Sequence, residues 1–191
     1  MDKGRLEAFT DGVVAIIITI MVLDLKLPAR PDLPSFIATA PTLAGYALSY
    51  VNVGIFWNNH HHMLHATRRI NGTVLWVNLL LLFALSLVPF DIKWMGQSEF
   101  AALPTAAYGA VLVLASAAYW LLERAIIHAD PANARLADAV GGERKGVISA
   151  VIYALAIPLA FLDPWIAVGL YALVAAMWFI PDRRIESRMK A

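Results

Sequence analysis

Arg5-Leu6-Glu7-Ala8-Phe9-Thr10-Asp11 runs without a break into Gly12-Val13-Val14-Ala15-Ile16-Ile17-Ile18-Thr19-Ile20-Met21-Val22-Leu23. The second half is apolar enough to enter lipid, and an arginine, a hydroxyl and a carboxylate stand at its mouth. An ionised side chain inside a bilayer costs roughly 2.5 to 3.5 kcal/mol on insertion scales, so such groups face protein or water and take partners. Arg5, Phe9 and Asp11 are therefore expected to point at protein. Arg5 and Phe9, four apart, share a helical face, whereas Asp11 lies about 200° round from Phe9 and needs partners on another helix. From Gly12 to Leu23 the only polar side chain is Thr19, and that run rises only about 18 Å against a hydrocarbon core of about 30 Å. The helix must take in Thr10 and Asp11 at one end and Asp24 at the other. Polar ends around a thin apolar middle suit a protein-lined or water-lined position better than lipid.

The whole chain has the same character. Of its 191 residues 60% are hydrophobic and 15% charged, against about 45 to 50% and about 25% in soluble domains. The class is an all-α integral membrane protein. A net charge of +1, with basic residues scattered along the chain, carries no nucleic-acid signature. The absence of cysteine excludes disulfides, thiolate metal sites and cysteine catalysis. Lys3, Arg5 and the apolar run have the outline of a signal peptide. Asp11 interrupts that outline, and no small-x-small site precedes Pro28 and Pro31, so the first helix is expected to remain in the mature protein.

Arg5-x-x-x-Phe9-Thr10-Asp11 resembles the R-x-x-x-F-[S/T]-D signature on the first helix of the transmembrane protein 175 family of potassium channels, with threonine where serine is commoner. The aliphatic run after it and the Leu25-Lys26-Leu27-Pro28 exit also resemble that family. The resemblance implies a cation channel of six transmembrane helices, single-repeat type, in which the first helix of each copy lines a central pore in a homotetramer. It implies permeant potassium ions and no cofactor, with other copies of the chain, the lipid bilayer and monovalent cations as partners.

Six spans are expected, at about 6–27, 35–64, 74–90, 101–127, 147–162 and 165–180, making one domain over 1–191. Pro28, Pro31 and Pro34 stop the first; Arg68, Arg69, Asn71 and Gly72 form the turn after the second; Pro89 ends the third. Asp163-Pro164 turns between the last two. The longest connection, His128 to Gly146, is expected to hold a short helix. With the N-terminus cytoplasmic, twelve basic residues, including Lys3, Arg5, Arg68, Arg69, Arg124, Arg135, Lys145, Arg183 and Arg188, fall inside, and Lys26, Arg30 and Lys93 outside. That asymmetry puts both termini in the cytoplasm and the protein in the cell membrane. Trp57, Trp76, Trp94, Trp120, Trp165 and Trp178 fall near span ends, as interfacial anchors do.

The first candidate for chemistry is the stripe Ile16, Ile20, Leu23, spaced so that all three share one helical face. Spacing alone is also what a packed helix shows. The resemblance implies the pore constriction, since the family builds it from large aliphatic side chains at these offsets from the motif aspartate. Such a ring controls permeation by wetting and by the cost of passing a partly stripped ion. Thr19, near the same face, either offers a hydroxyl ring to an ion or bonds back to its own helix.

The second candidate is Trp57-Asn58-Asn59-His60-His61-His62-Met63-Leu64-His65. His61 and His65 have the i, i+4 spacing of a metal pair, yet no acidic or thiolate third ligand is near, and histidines suit a helix C-terminus. No metal is expected. The economical reading is a network holding the first helix to its scaffold: Arg5, Phe9, Thr10 and Asp11 with Trp57 or a histidine such as His61, and Asn78 of the third span. The serines lack a paired histidine and aspartate at one depth, and no phosphate-cradling loop occurs, so an enzyme is not expected. Asp91, Glu99 and Asp163 are expected in solvated outer loops. The competing class is a secondary transporter or metal-ion carrier using Asp11 and the His60 to His65 cluster. A coupling site belongs near the midplane, and Asp11 lies toward the cytoplasmic end.

Overall fold

The structure is a computed structural model, and it describes residues 3–131 and 143–179. Arg135, Arg183, Arg184, Arg188, Lys190 and the helix expected between His128 and Gly146 lie outside the described residues. Among those described the chain is all-helical: α1 (Lys3–Leu23), α2 (Leu33–Ile37), α3 (Ala40–Ala66), α4 (Gly72–Ser86), α5 (Val88–Gln97), α6 (Ala102–Ala129), α7 (Glu143–Leu159) and α8 (Pro164–Phe179). α4 and α5 run on as one broken helix and α2 is a single turn before α3, so six long units result. Three are long and apolar enough to cross a membrane, Lys3–Leu23, Gly72–Gln97 and Ala102–Ala129, and Pro164–Phe179 is a shorter apolar helix.

The prolines account for most departures from the expected boundaries. α1 stops at Leu23 rather than near Leu27: Leu25 N–H already bonds back only three residues, to Val22, and the residue before Pro28 is pushed out of helical geometry. A continuous helix from Ser35 is replaced by α2 and α3, because Pro41 has no N–H for the Ile37 carbonyl. Asp32 caps α2, and hydrogen bonds from the Ser35 side chain and backbone hold its carboxyl below the usual carboxylate range. Pro89 does not end the third span. It sits in the first turn of α5, where a missing N–H costs little, and Leu87 N–H bonds Ala84 and Leu85 across the break.

Asp91 is thereby moved from an expected loop into a helix. It is 3% exposed, and its Oδ2 has no hydrogen-bond partner. Its place in the first turn of α5 gives some compensation from the helix dipole, but a lone buried carboxylate is otherwise costly. Asp91→Asn, which keeps the shape and removes the charge, is expected to raise the thermal midpoint of the purified protein. A fall in differential scanning fluorimetry would contradict this.

α6 is the central helix, packing against α4, α5, α7 and α8. Its small residues Ala106, Gly109, Ala115 and Ala118 let the neighbours come close, while Tyr108, Leu112, Leu122 and Ile126 fill the core. The Tyr171 hydroxyl donates to the Thr105 carbonyl at 2.9 Å, which fixes it over Gly109, where a methyl group would overlap it. Gly109→Ala is expected to destabilise by about 1 to 3 kcal/mol, the usual cost of overpacking. Restored stability in Gly109→Ala with Tyr171→Phe, measured in the same melt, would identify the hydroxyl as the obstacle. Polar groups within the bundle pair with each other: Ser49 Oγ and Asn52 Nδ2 donate to the Tyr108 hydroxyl at 3.0 and 3.3 Å, and Tyr153 donates to Asn52 Oδ1 at 3.1 Å.

Candidate functional site

α1 has two unlike faces. Leu6, Thr10, Val14, Ile17 and Met21 are buried at helical spacing and pack on α3, α4 and α5. At the N-terminal end of that face Asn78 Nδ2 donates to Thr10 Oγ at 3.0 Å. The Asn78 Oδ1 then accepts from His60 Nε2 at 2.7 Å, so His60 carries its proton on Nε2 in this arrangement. All three side chains are buried, so each polar atom needs its partner. One position on, Asp11 Oδ1 accepts the Trp57 indole N–H at 2.8 Å, and Lys3 Nζ donates to the His65 carbonyl at 3.0 Å. At the far end Lys93 Nζ meets Asp24 Oδ1 at 2.7 Å. Polar contacts thus hold α1 at both ends, with aliphatic packing between.

The structure brings Thr10 to Asn78 and Asp11 to Trp57, and the histidine that bonds Asn78 is His60 rather than His61. His60 shares the buried side of α3 with Met63 and Leu64, whereas His61, about 100° round, stacks on Trp57 and on His65 with ring centroids 6.1 and 6.3 Å apart. Arg5 and Phe9 do not join the network within one chain either. Both are exposed, because they lie on the face of α1 turned away from its own bundle. The stripe of small and polar residues Gly45, Ser49 and Asn52 leads along α3 to His60, and that phase was the signal available in the sequence. The Asp24–Lys93 pair was missed because ending the third span at Pro89 leaves Lys93 outside a helix, and the bond from Lys3 to a backbone carbonyl has no residue-type signal.

The other face of α1 is open. Ile16 is 60% exposed, Ile20 43% and Leu23 76%. Thr19 Oγ donates to the Ala15 carbonyl at 2.7 Å, the back-bond that was one of its two expected roles. That bond directs the hydroxyl proton into the helix and leaves the oxygen lone pairs facing outward. Beside Ile16 and Ile20 a groove of 540 Å³ runs against Pro89 and Phe90. Among the described residues no group of three or more histidines and acidic residues is placed to hold a metal.

These features define a helical membrane protein whose first helix is tied to its scaffold along one side and bare along the other. The family model for the endosomal/lysosomal potassium channel TMEM175 matches residues 5–89, from the Arg5 motif to Pro89. A potassium channel of Chryseobacterium is 48% identical over 190 residues, covering 100% of this chain and 99% of the relative. One from Streptomyces collinus is 30% identical over 204 residues, covering 100% and 98%. The fold is similar to the crystal structure of a lysosomal potassium-selective channel TMEM175 homolog from Chamaesiphon minutus, with a TM-score of 0.81 at 24% identity over 93% of this chain and 96% of that one. The chain belongs to the TMEM175 family.

Proposed function

We propose that the protein is a potassium-preferring cation channel of the cell membrane. Its single six-helix domain spans the bilayer with both termini cytoplasmic and assembles as a homotetramer around α1. The observation that carries this reading is the aliphatic stripe Ile16, Ile20, Leu23, left bare on a helix whose opposite face is fully engaged. One copy of a helix cannot enclose a pore, and the stripe shares its face with the exposed Arg5, a charge that suits protein or water better than lipid, so other copies are the cover proposed for it. Four such stripes facing one axis make stacked apolar rings, the constriction of a gate that works by dewetting and by the cost of partial ion dehydration. Thr19 adds a ring of outward-facing oxygens between the Ile16 and Leu23 levels. Arg5 and Phe9 lie at the inner end of this face and meet the neighbouring copies.

Potassium preference is supported by what the Chryseobacterium and Streptomyces relatives are named. The carrier reading gains nothing from the geometry, since Asp11 is bonded to Trp57 and the exposed His61 meets His62 edge to face and stacks on His65. Single-channel recording in planar bilayers, with potassium and sodium chloride on opposite sides, tests the proposal. Ohmic unitary currents reversing toward the potassium equilibrium potential are expected. Saturable flux without unitary events would overturn it in favour of a carrier.

A further inference from the structure

We infer that the connection from α1 to α3 is a membrane-surface anchor, with the Leu33, Phe36 and Ile37 face of α2 seated among lipid acyl chains just below the headgroups. These three residues are spaced i, i+3, i+4 and fall within about 100° of one another round the helix, while Ser35 lies on the opposite side. All three are more than half exposed, and Leu27, in the stretch before them, is 90% exposed. So many large apolar side chains left open between residues 27 and 37 mark a contact with another protein or with lipid. The position of the segment favours lipid.

Both ends of the connection are fastened to α5. Asp24, the residue after α1, meets Lys93 at 2.7 Å, and Thr42, in the first turn of α3, lies against Gly96, where a methyl group would come within 3.1 Å of its side chain. Between these fastenings stands Trp94, half-buried, in the last turn of the unit Gly72–Gln97 that is long and apolar enough to cross a membrane. A tryptophan at the end of such a unit marks the headgroup level, so α2 is held at the membrane boundary. Because both fastenings are on the scaffold side of α1, the connection turns away from the Ile16 and Leu23 face proposed to meet other copies. The backbone of α2 is satisfied from within, as contact with lipid requires: Asp32 Oδ1 accepts the Ser35 N–H at 2.8 Å, the Phe36 and Ala38 N–H groups bond the Asp32 and Pro34 carbonyls, and the Thr39 hydroxyl donates to the Phe36 carbonyl at 2.7 Å. Arg30 is paired with Asp32 at 3.2 Å, so the apolar face supplies the attraction and no headgroup charge is called on. A segment with one apolar and one polar side at this level lies in the plane of the interface.

The chain has no cysteine, so a single introduced one carries a nitroxide spin label at a known place, and the test needs no ion conduction. In the full-length protein in phosphatidylcholine nanodiscs, labels at Leu33→Cys, Phe36→Cys and Ile37→Cys are expected to collide more with oxygen than with a water-soluble nickel chelate. A label at Ser35→Cys is expected to show the reverse. When Leu33→Ser and Ile37→Ser are added to Phe36→Cys, its label is expected to shift to the Ser35→Cys pattern, because the face that seats it is gone. Circular dichroism and gel filtration establish that each variant is folded. Chelate-dominated collisions at all three apolar positions, an unshifted label in the double-serine variant, or seating that appears only when phosphatidylglycerol is added would each overturn the assignment. So would dipolar broadening at Phe36→Cys that disappears on dilution with unlabelled protein, since that places a second copy on this face.

Discussion

Ile16→Asn is expected to raise unitary conductance by about tenfold and to bring the potassium and sodium permeabilities together. The size follows from the symmetry of the proposed tetramer. A tenfold change in rate needs about 1.4 kcal/mol, so an offset of about 0.4 kcal/mol from each of four copies at one level would be sufficient. An amide on that ring accepts water and ion contacts that an isoleucine cannot, lowering a barrier built on apolar walls. Ile16 is mostly exposed in the single chain, so the change leaves the subunit's own packing nearly untouched. Ile17, the next residue, is 3% exposed and about 100° round the helix. Ile17→Asn buries an amide without partners, costing about 1 to 3 kcal/mol, and is expected to cut yield and thermal stability with little change in the selectivity of what survives. Recording both in the same bilayers decides the pore face. Altered permeation in Ile17→Asn beside normal permeation in Ile16→Asn would remove the stripe from the pore.

The fold was legible where composition and periodicity agree. Long apolar runs and a motif with polar residues at a fixed helical phase were enough for six units and for which side of α1 would need partners. What failed was local and followed from proline. Pro89 reads as a stop, yet Val88, Ile92 and Met95 beyond it are buried, and their packing carries the helix on to Gln97. Pro41 breaks a helix that hydropathy alone would continue, because the Ile37 carbonyl has no amide to meet. Asp91 was misplaced with Pro89, whereas the His60 error has a different origin: the run Asn58 to His62 leaves the helical phase ambiguous by one position, and only the contacts of α3 with other helices resolve it. The bare face of α1 is the opposite case. Arg5 and Phe9 were expected to point at protein, and a single chain leaves them and the stripe beyond them exposed, the face that the proposed tetramer would cover.

Asn78→Leu is expected to destabilise the protein by about 2 to 5 kcal/mol, the largest effect of any change in the network. Asn78 is fully buried and bonds two helices at once, Thr10 of α1 and His60 of α3. Leucine fills the space and strands both partners, each itself buried, and leaving a buried polar group unsatisfied costs about 1 to 3 kcal/mol apiece. Asp11→Asn is the informative contrast, because an amide oxygen still accepts the Trp57 indole N–H and the pair is solvent-exposed, so a loss below about 1 kcal/mol is expected. The consequence of Asn78→Leu extends to the proposed pore. α1 loses its buried fixing point near its N-terminal end, keeping there the exposed Asp11–Trp57 and Lys3–His65 contacts, and keeps the Asp24–Lys93 pair at the other, so the helix becomes freer to pivot about its C-terminal end. Hydrogen exchange followed by mass spectrometry is expected to show faster exchange in peptides from residues 3–14 than in peptides from residues 17–23. Exchange and melting unchanged from the wild type would mean that packing of Leu6, Val14, Ile17 and Met21 alone positions the helix, and that the motif hydroxyl has no anchoring role.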